Sequence, residues 1–235
     1  MGKSNCRSPE LHSISLSPLS IYRYIALNRS KGGTLWKFLR QANRKRRKKY
    51  GSTNSQGYIP NRVSIEKRPK IVDKKSRIGD WELDTVIGSH HKGVLLTLVE
   101  RRSNFTLIGK CKDKTASSIT SKIIELLNPH ENKVKTLTLD NGKEFASHEV
   151  FSEKLGARSY FAHPYSSWER GLNENTNGLI RQFFPKGKSL KNIKEKTIRK
   201  VVTLLNYRPR KKLGFKMPIE IFTKRTINKN VALGM

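Results

Sequence analysis

Leu137-Thr138-Leu139-Asp140-Asn141-Gly142 and, downstream, Trp168-Glu169-Arg170-Gly171-Leu172-Asn173-Glu174-Asn175-Thr176-Asn177-Gly178-Leu179-Ile180-Arg181 bound the stretch that decides the fold. The first piece reads as a short apolar strand ending at a carboxylate and an Asn-Gly turn. The second reads as a helix with Glu174, Asn177, Gly178 and Arg181 on one face, at i, i+3, i+4 and i+7. Upstream, Gly79-Asp80-Trp81-Glu82-Leu83-Asp84-Thr85-Val86-Ile87-Gly88 puts Asp84 on another apolar strand. Two strand-borne carboxylates and one helix-borne carboxylate, in a very basic chain, point to a metal site that works on phosphate.

The charge supports that reading. Lys and Arg number 49 against 18 Asp and Glu, a formal charge of +31 on 235 residues. Self-repulsion of this size calls for a polyanionic partner, and nucleic acid is the usual one. A ribosomal or histone-like protein is the alternative that composition leaves open. A membrane partner is disfavoured, because no long amphipathic helix or lipidation motif occurs and the apolar run Val94–Val99 is too short to span a bilayer. Cys6 and Cys111 have no metal-ligand spacing and no disulfide framework, which suits a reducing compartment. With no signal-peptide core at the N-terminus, cytoplasm with access to DNA is the expected placement.

Outward from the deciding stretch, the elements follow in order. Strands are expected over 81–87, 93–100 and 105–110, joined by short polar connections as an antiparallel meander. A helix over 115–127 leads to a fourth strand, 134–139, parallel to its neighbour. A helix over 147–155, a strand over 157–162, the Glu174 helix and a last helix over 193–205 complete the pattern. This is the order of a ribonuclease-H-like α/β fold, a five-stranded mixed sheet flanked by helices. The first and fourth strands lie side by side at its centre, and Asp84 and Asp140 then face each other. The compact core is expected over 70–228, with a short tail over 229–235.

Residues 1–50 form a separate basic, helical region. Ser17-Pro18 starts one helix, Gly32-Gly33 breaks it, and Thr34–Leu39 starts a second. The pair is either part of a helix-turn-helix reader of DNA or a small helical pair folded on itself. Arg44-Lys45-Arg46-Arg47-Lys48-Lys49 is a solvated face or a phosphate-contacting arm. Residues 51–69 read as a linker, and Pro69 argues against helix in the segment 62–75.

Three carboxylates in one cleft repel one another unless cations neutralise them. Magnesium, or manganese, suits oxygen-only ligands, and two such ions can serve both the attacking and the leaving oxygen of a phosphodiester. Asp84, Asp140 and Glu174 are the expected ligands and catalytic acids, with 33 residues between the last two. Taken singly, Asp140 makes a good turn residue and Glu174 a good surface residue. The polar run Asn173–Asn177 is poor helix-forming sequence, and such a violation is easier to understand at a working site. Glu82 is an outer group or a surface charge, and His163 a loop residue or a substrate contact. His90-His91 lacks metal-ligand neighbours. Trp168 packs at the helix start or stacks on a DNA end. Arg23, Asn177, Arg181, Lys186, Lys188, Arg208 and Arg210 are further candidate DNA contacts.

The whole pattern resembles the insertion-sequence-30 family of transposases, Asp-Asp-Glu recombinases with a retroviral-integrase-like core. The resemblance is carried by Ile21–Ile25, Gly33–Trp36, Ile78–Asp84, Leu139–Gly142, Trp168–Gly171, Asn173–Gln182 and Asn206–Arg210. It implies cleavage at the ends of an insertion element, joining of the freed 3′-hydroxyl to target DNA, divalent metal, and a homodimer or higher oligomer on DNA. It carries the three catalytic acids onto Asp84, Asp140 and Glu174. Residues 1–19 are shorter than the family's DNA-reading region, so the chain resembles an N-terminally truncated member. Two other functions stay open: a catalytically idle DNA-binding remnant that regulates intact transposase, and a plain nuclease of RNA–DNA hybrids.

Overall fold

The structure is a computed structural model and describes residues 4–5, 15–39, 59–164 and 166–225. The chain divides into two compact units, Met1–Thr53 and Asn54–Met235.

In the first unit, β1 (Ser4–Asn5) pairs antiparallel with β2 (Ser15–Leu16). Helix α1 (Pro18–Ser30) begins as expected: Ser17 Oγ accepts the Ser20 N–H at 3.1 Å, and Pro18 takes the first position, where no N–H is needed. After Gly32, at φ +82°, the chain doubles back. A Cβ on Gly33 would lie 2.1 Å from the Asn28 side chain, whose Oδ1 accepts the Leu35 N–H. The expected second helix is a single 3-10 turn, Leu35–Phe38. Among the described residues this unit therefore has one α-helix and one 3-10 turn. The basic run Arg44–Lys49 lies outside the described residues.

The second unit is a five-stranded sheet: β3 (Asp80–Ile87), β4 (Val94–Glu100), β5 (Thr106–Cys111), β6 (Thr136–Leu139) and β7 (Arg158–Phe161). Their spatial order is β5-β4-β3-β6-β7. The first three pair antiparallel, and β6 lies parallel between β3 and β7. This is the ribonuclease-H-like arrangement. Every residue of β4 is buried, as befits a strand covered on both faces.

Alternation along β3 sorts the two faces. Trp81 and Leu83 join one apolar cluster with helices α3 (Ala116–Leu127), α4 (His148–Lys154) and α7 (Pro218–Thr223). Val86 joins the other, against α5 (Gly171–Phe183) and α6 (Glu195–Asn206). By the same period of two, Glu82 and Asp84 face α5. Thr115 caps α3 through the Ser118 N–H. At the β3–β4 turn, Gly93 has φ +88°, and a Cβ there would meet the backbone of Leu190 at 2.4 Å.

Two expectations fail. The supposed linker is packed from Ile59 onward: Ile59 and Ile65 are buried, Val63 O accepts the Phe161 N–H at 2.8 Å, and Ser64 bridges Phe161 in parallel. Residues 59–69 thus form a strap along the β7 edge. Pro69 does not prevent a helix; it immediately precedes α2 (Lys70–Lys74), where a residue without an N–H costs nothing. No described helix is long and apolar enough to cross a membrane.

Candidate active site

The site lies where β3 and β6 run side by side. Their register pairs Asp80 with Thr136 and Glu82 with Thr138, and the same offset carries Asp84 to Asp140. Both carboxylates converge on one guanidinium. Arg170 Nη1 lies 3.6 Å from Asp84 Oδ1, and Nη2 lies 3.4 Å from Asp140 Oδ2. Burial pushes the Asp84 carboxyl above the usual range, and Arg170 pulls it partly back. Burial pushes Asp140 up to about 6; Arg170 opposes this, while the charges of Asp84 and Glu144 add to it.

Local hydrogen bonds aim the two acids. The Thr85 N–H donates to Asp84 Oδ1 and the Gly142 N–H to Asp140 Oδ1, each at 2.9 Å. The Asn177 amide donates to Asp84 Oδ2 at 2.8 Å. Glu82, the third acid of the cluster's sheet face, is buried. It pairs with Arg101 and accepts the Asn173 N–H in the first turn of α5 at 3.0 Å. It is neither a surface charge nor a candidate ligand, but a carboxylate that ties the positive end of α5 to β3.

Glu174 is exposed on α5, one turn before Asn177. Among the described residues, no group of three or more His, Cys, Asp and Glu side chains is arranged to hold a metal ion. What the structure does bring together is an oxygen-only pair, Asp84 and Asp140, already facing a cation. That donor chemistry fits a hard divalent ion and not zinc, which favours His and Cys.

Sequence reading missed two residues. Arg170 was visible only as part of a motif, and nothing in its spacing marked it as a counter-ion. Glu144 is buried beside the two aspartates; its Oε1 accepts from Thr85 Oγ1 and pairs with Lys114 Nζ, both at 3.0 Å. A single acid just past a turn carries no periodic signal.

The candidate DNA contacts divide. Asn177 and Arg181 are engaged with the protein, Arg181 donating to Ile87 O at 2.8 Å. Arg210 donates to Leu205 O near the end of α6. Arg23, Lys186, Lys188 and Arg208 are exposed. Trp168 does not pack at the helix start, for 74% of its surface is open. His163 braces the entry to α5 instead, its Nδ1 2.8 Å from Glu169 Oε1, and this hydrogen bond raises its pKa.

No protein-family model matches the chain. It is 46% identical over 211 residues to the transposase for insertion sequence element IS4351 of Bacteroides fragilis, covering 90% of this chain and 64% of that protein. It is 41% identical over 170 residues to transposase InsI for insertion sequence element IS30A of Escherichia coli, covering 71% of this chain and 43% of that one. The chain thus spans less than two thirds of the length of these curated relatives. A chain of the simian T-cell lymphotropic virus intasome shares the fold, with a TM-score of 0.52 at 18% identity over 64% of this chain and 56% of that chain.

Proposed function

From a chain that is a relative of the insertion-sequence transposases, we propose an enzyme that cleaves DNA at element ends and joins the freed 3′-hydroxyl to a target strand. The observation that carries this reading is the convergence of Asp84 and Asp140, from adjacent strands, on a single cation. In the proposed reaction a 3′-oxygen forms a bond to the target phosphorus, and the bond from that phosphorus to the target's own 3′-oxygen breaks. Asp84 and Asp140 would hold divalent metal, with Glu174 contributed by α5. When bound, Mg²⁺ or Mn²⁺, two ions per site, would neutralise charge on the attacking and leaving oxygens.

The rest falls to the chain's own groups. Asn177 and the Thr85 N–H hold Asp84 in one orientation. Glu82 fixes the start of α5 against β3. Trp168 offers an open aromatic face for a base at a DNA end. Arg208, Lys186 and Lys188, on the exposed surface, suit phosphate contacts along double-stranded DNA. Joining at two ends calls for a homodimer or higher oligomer.

A second reading, a DNA-binding chain that joins nothing, is favoured by the exposed position of Glu174. One assay separates them: joining of a pre-cut element end to plasmid DNA with Mg²⁺. The enzyme reading expects joining that Asp140→Asn abolishes while DNA binding is retained. Binding that falls steeply with salt, with no joining by the unsubstituted chain, would favour the second reading.

A further inference from the structure

Arg170 is seated between the two aspartates without being locked there. Its contacts of 3.4 and 3.6 Å to the carboxylates, and 3.5 Å to Leu83 O, exceed the 2.7–2.9 Å of a tight charged pair. Its Nε is buried with no hydrogen-bond partner. A guanidinium with long bonds and an unmet N–H is held mainly by charge. Its backbone, at φ −120° and ψ 37°, is the cap between the 3-10 turn Ser167–Arg170 and α5. Any movement of Arg170 therefore occurs at the start of the helix that carries Glu174 and Asn177.

We infer that Arg170 is the chain's own counter-ion for the Asp84–Asp140 pair, and that it and a divalent cation exclude each other from those two carboxylates. This rests on the reading of that pair as a metal site. Two cations cannot both take full advantage of Asp84 Oδ1 and Asp140 Oδ2, because each repels the other at such range. Metal loading is then coupled to release of Arg170, and so to the first turn of α5. The guanidinium restrains loading until the site is used.

The test is a titration of the full, DNA-free chain with Mn²⁺, following the free ion by its electron paramagnetic resonance signal. Arg170→Gln removes the charge and keeps a polar side chain, two bonds shorter than the guanidinium's reach to the carboxylates. It is expected to bind Mn²⁺ roughly tenfold more tightly than the unsubstituted chain, a typical size for coupled binding. Arg170→Lys, a point charge that cannot span both acids, is expected in between. Asp140→Asn should weaken binding in both backgrounds. If Arg170→Gln binds Mn²⁺ no more tightly while Asp140→Asn still weakens binding, the inference is overturned and the metal-site reading stands. If Asp140→Asn changes nothing in either background, that reading falls and takes the inference with it. Should Arg170→Gln fail to melt cooperatively, Arg170→Lys decides: tighter binding than the unsubstituted chain supports the exclusion, and equal or weaker binding overturns it.

Discussion

Asn177 Nδ2 donates to Asp84 Oδ2 at 2.8 Å, joining α5 to the central strand β3. The amide cannot turn over freely, because its Oδ1 lies 3.2 Å from the hydroxyl of Thr97, which also reaches Asp84 O at 3.1 Å. The expected result of Asn177→Ala is strand joining reduced by roughly 10–100-fold, the usual effect of losing a group that orients a ligand. DNA affinity and its salt dependence should be unchanged, since the amide is spent on the protein. Single-turnover joining and filter binding on the same preparations check this. A loss of DNA affinity without loss of joining would return Asn177 to the surface contacts.

Glu82 and Arg101 form a buried pair within a larger network. Arg101 also donates to Val72 O at 3.2 Å, and Arg68, paired with Asp73, donates to Thr138 Oγ1 at 2.9 Å. Glu82→Ala would strand Arg101 in the interior and leave the Asn173 N–H without its acceptor. The expected cost is about 3–5 kcal/mol of folding free energy. Glu82→Gln keeps the acceptor for Asn173 and should cost less. Urea unfolding of the two variants measures both values, and equal stability of Glu82→Ala and the unsubstituted chain would contradict the network.

Asp140 predicts the opposite sign. Its folded-state pKa of about 6 exceeds the ordinary 3.8, so between these values the folded chain binds more protons than the unfolded one. Stability of the metal-free chain should therefore fall as pH rises through about 4 to 6, and stay lower above that window. Asp140→Asn removes the ionisation while keeping an acceptor for the Gly142 N–H. The side chain retains 30% of its surface in solvent, which tempers the gain to about 1–2 kcal/mol at pH 7. Urea midpoints in EDTA at pH 7 and pH 4.5 test this. The variant should be more stable at the higher pH, and the difference should shrink at the lower.

The sheet was legible because its strands obey a period of two and its helices a period of 3.6. The meander and a parallel β6 follow from connection length, and the ribonuclease-H-like order of the elements puts β6 beside β3, bringing Asp84 and Asp140 to neighbouring positions. Contacts made by side chains on remote segments were not legible. Arg170 meets the aspartates only once α5 is docked, and Glu82 shows its role only when the Asn173 N–H arrives from 91 residues away. The strap at 59–69 was hidden by its polar composition, since Ile59 and Ile65 are too widely spaced among Asn, Arg and Ser to signal a buried edge. The position of Glu174 shows the limit differently. Helical spacing puts it on one face with Asn177, but cannot say how near that face brings its carboxylate to the strands.

Helix α7 was likewise invisible, being six residues long and bounded by basic sequence, yet it closes one face of the sheet. Phe222 is fully buried there. Its ring stacks on Phe105 with centroids 4.2 Å apart and planes within 5°, meets Trp81 edge-on at 5.7 Å, and lies under Lys133 Nζ at 4.7 Å. Pro218 and Phe222 are the buried residues of the helix, with Ile219 packed on the same cluster and Lys133 Nζ donating to Phe222 O at 3.2 Å. Removing the ring should open a cavity against Trp81 and loosen α7. Phe222→Ala is expected to destabilise the second unit by about 3–5 kcal/mol. Phe222→Leu should recover part of that, because apolar volume returns without the aromatic contacts. Tryptophan fluorescence during urea unfolding reads the loss from beside Trp81. The Mg²⁺-dependent joining rate of still-folded Phe222→Leu should remain near that of the unsubstituted chain, because α7 packs on the face opposite α5. A large loss of rate with little loss of stability would show that this face is coupled to the aspartates more closely than the packing indicates.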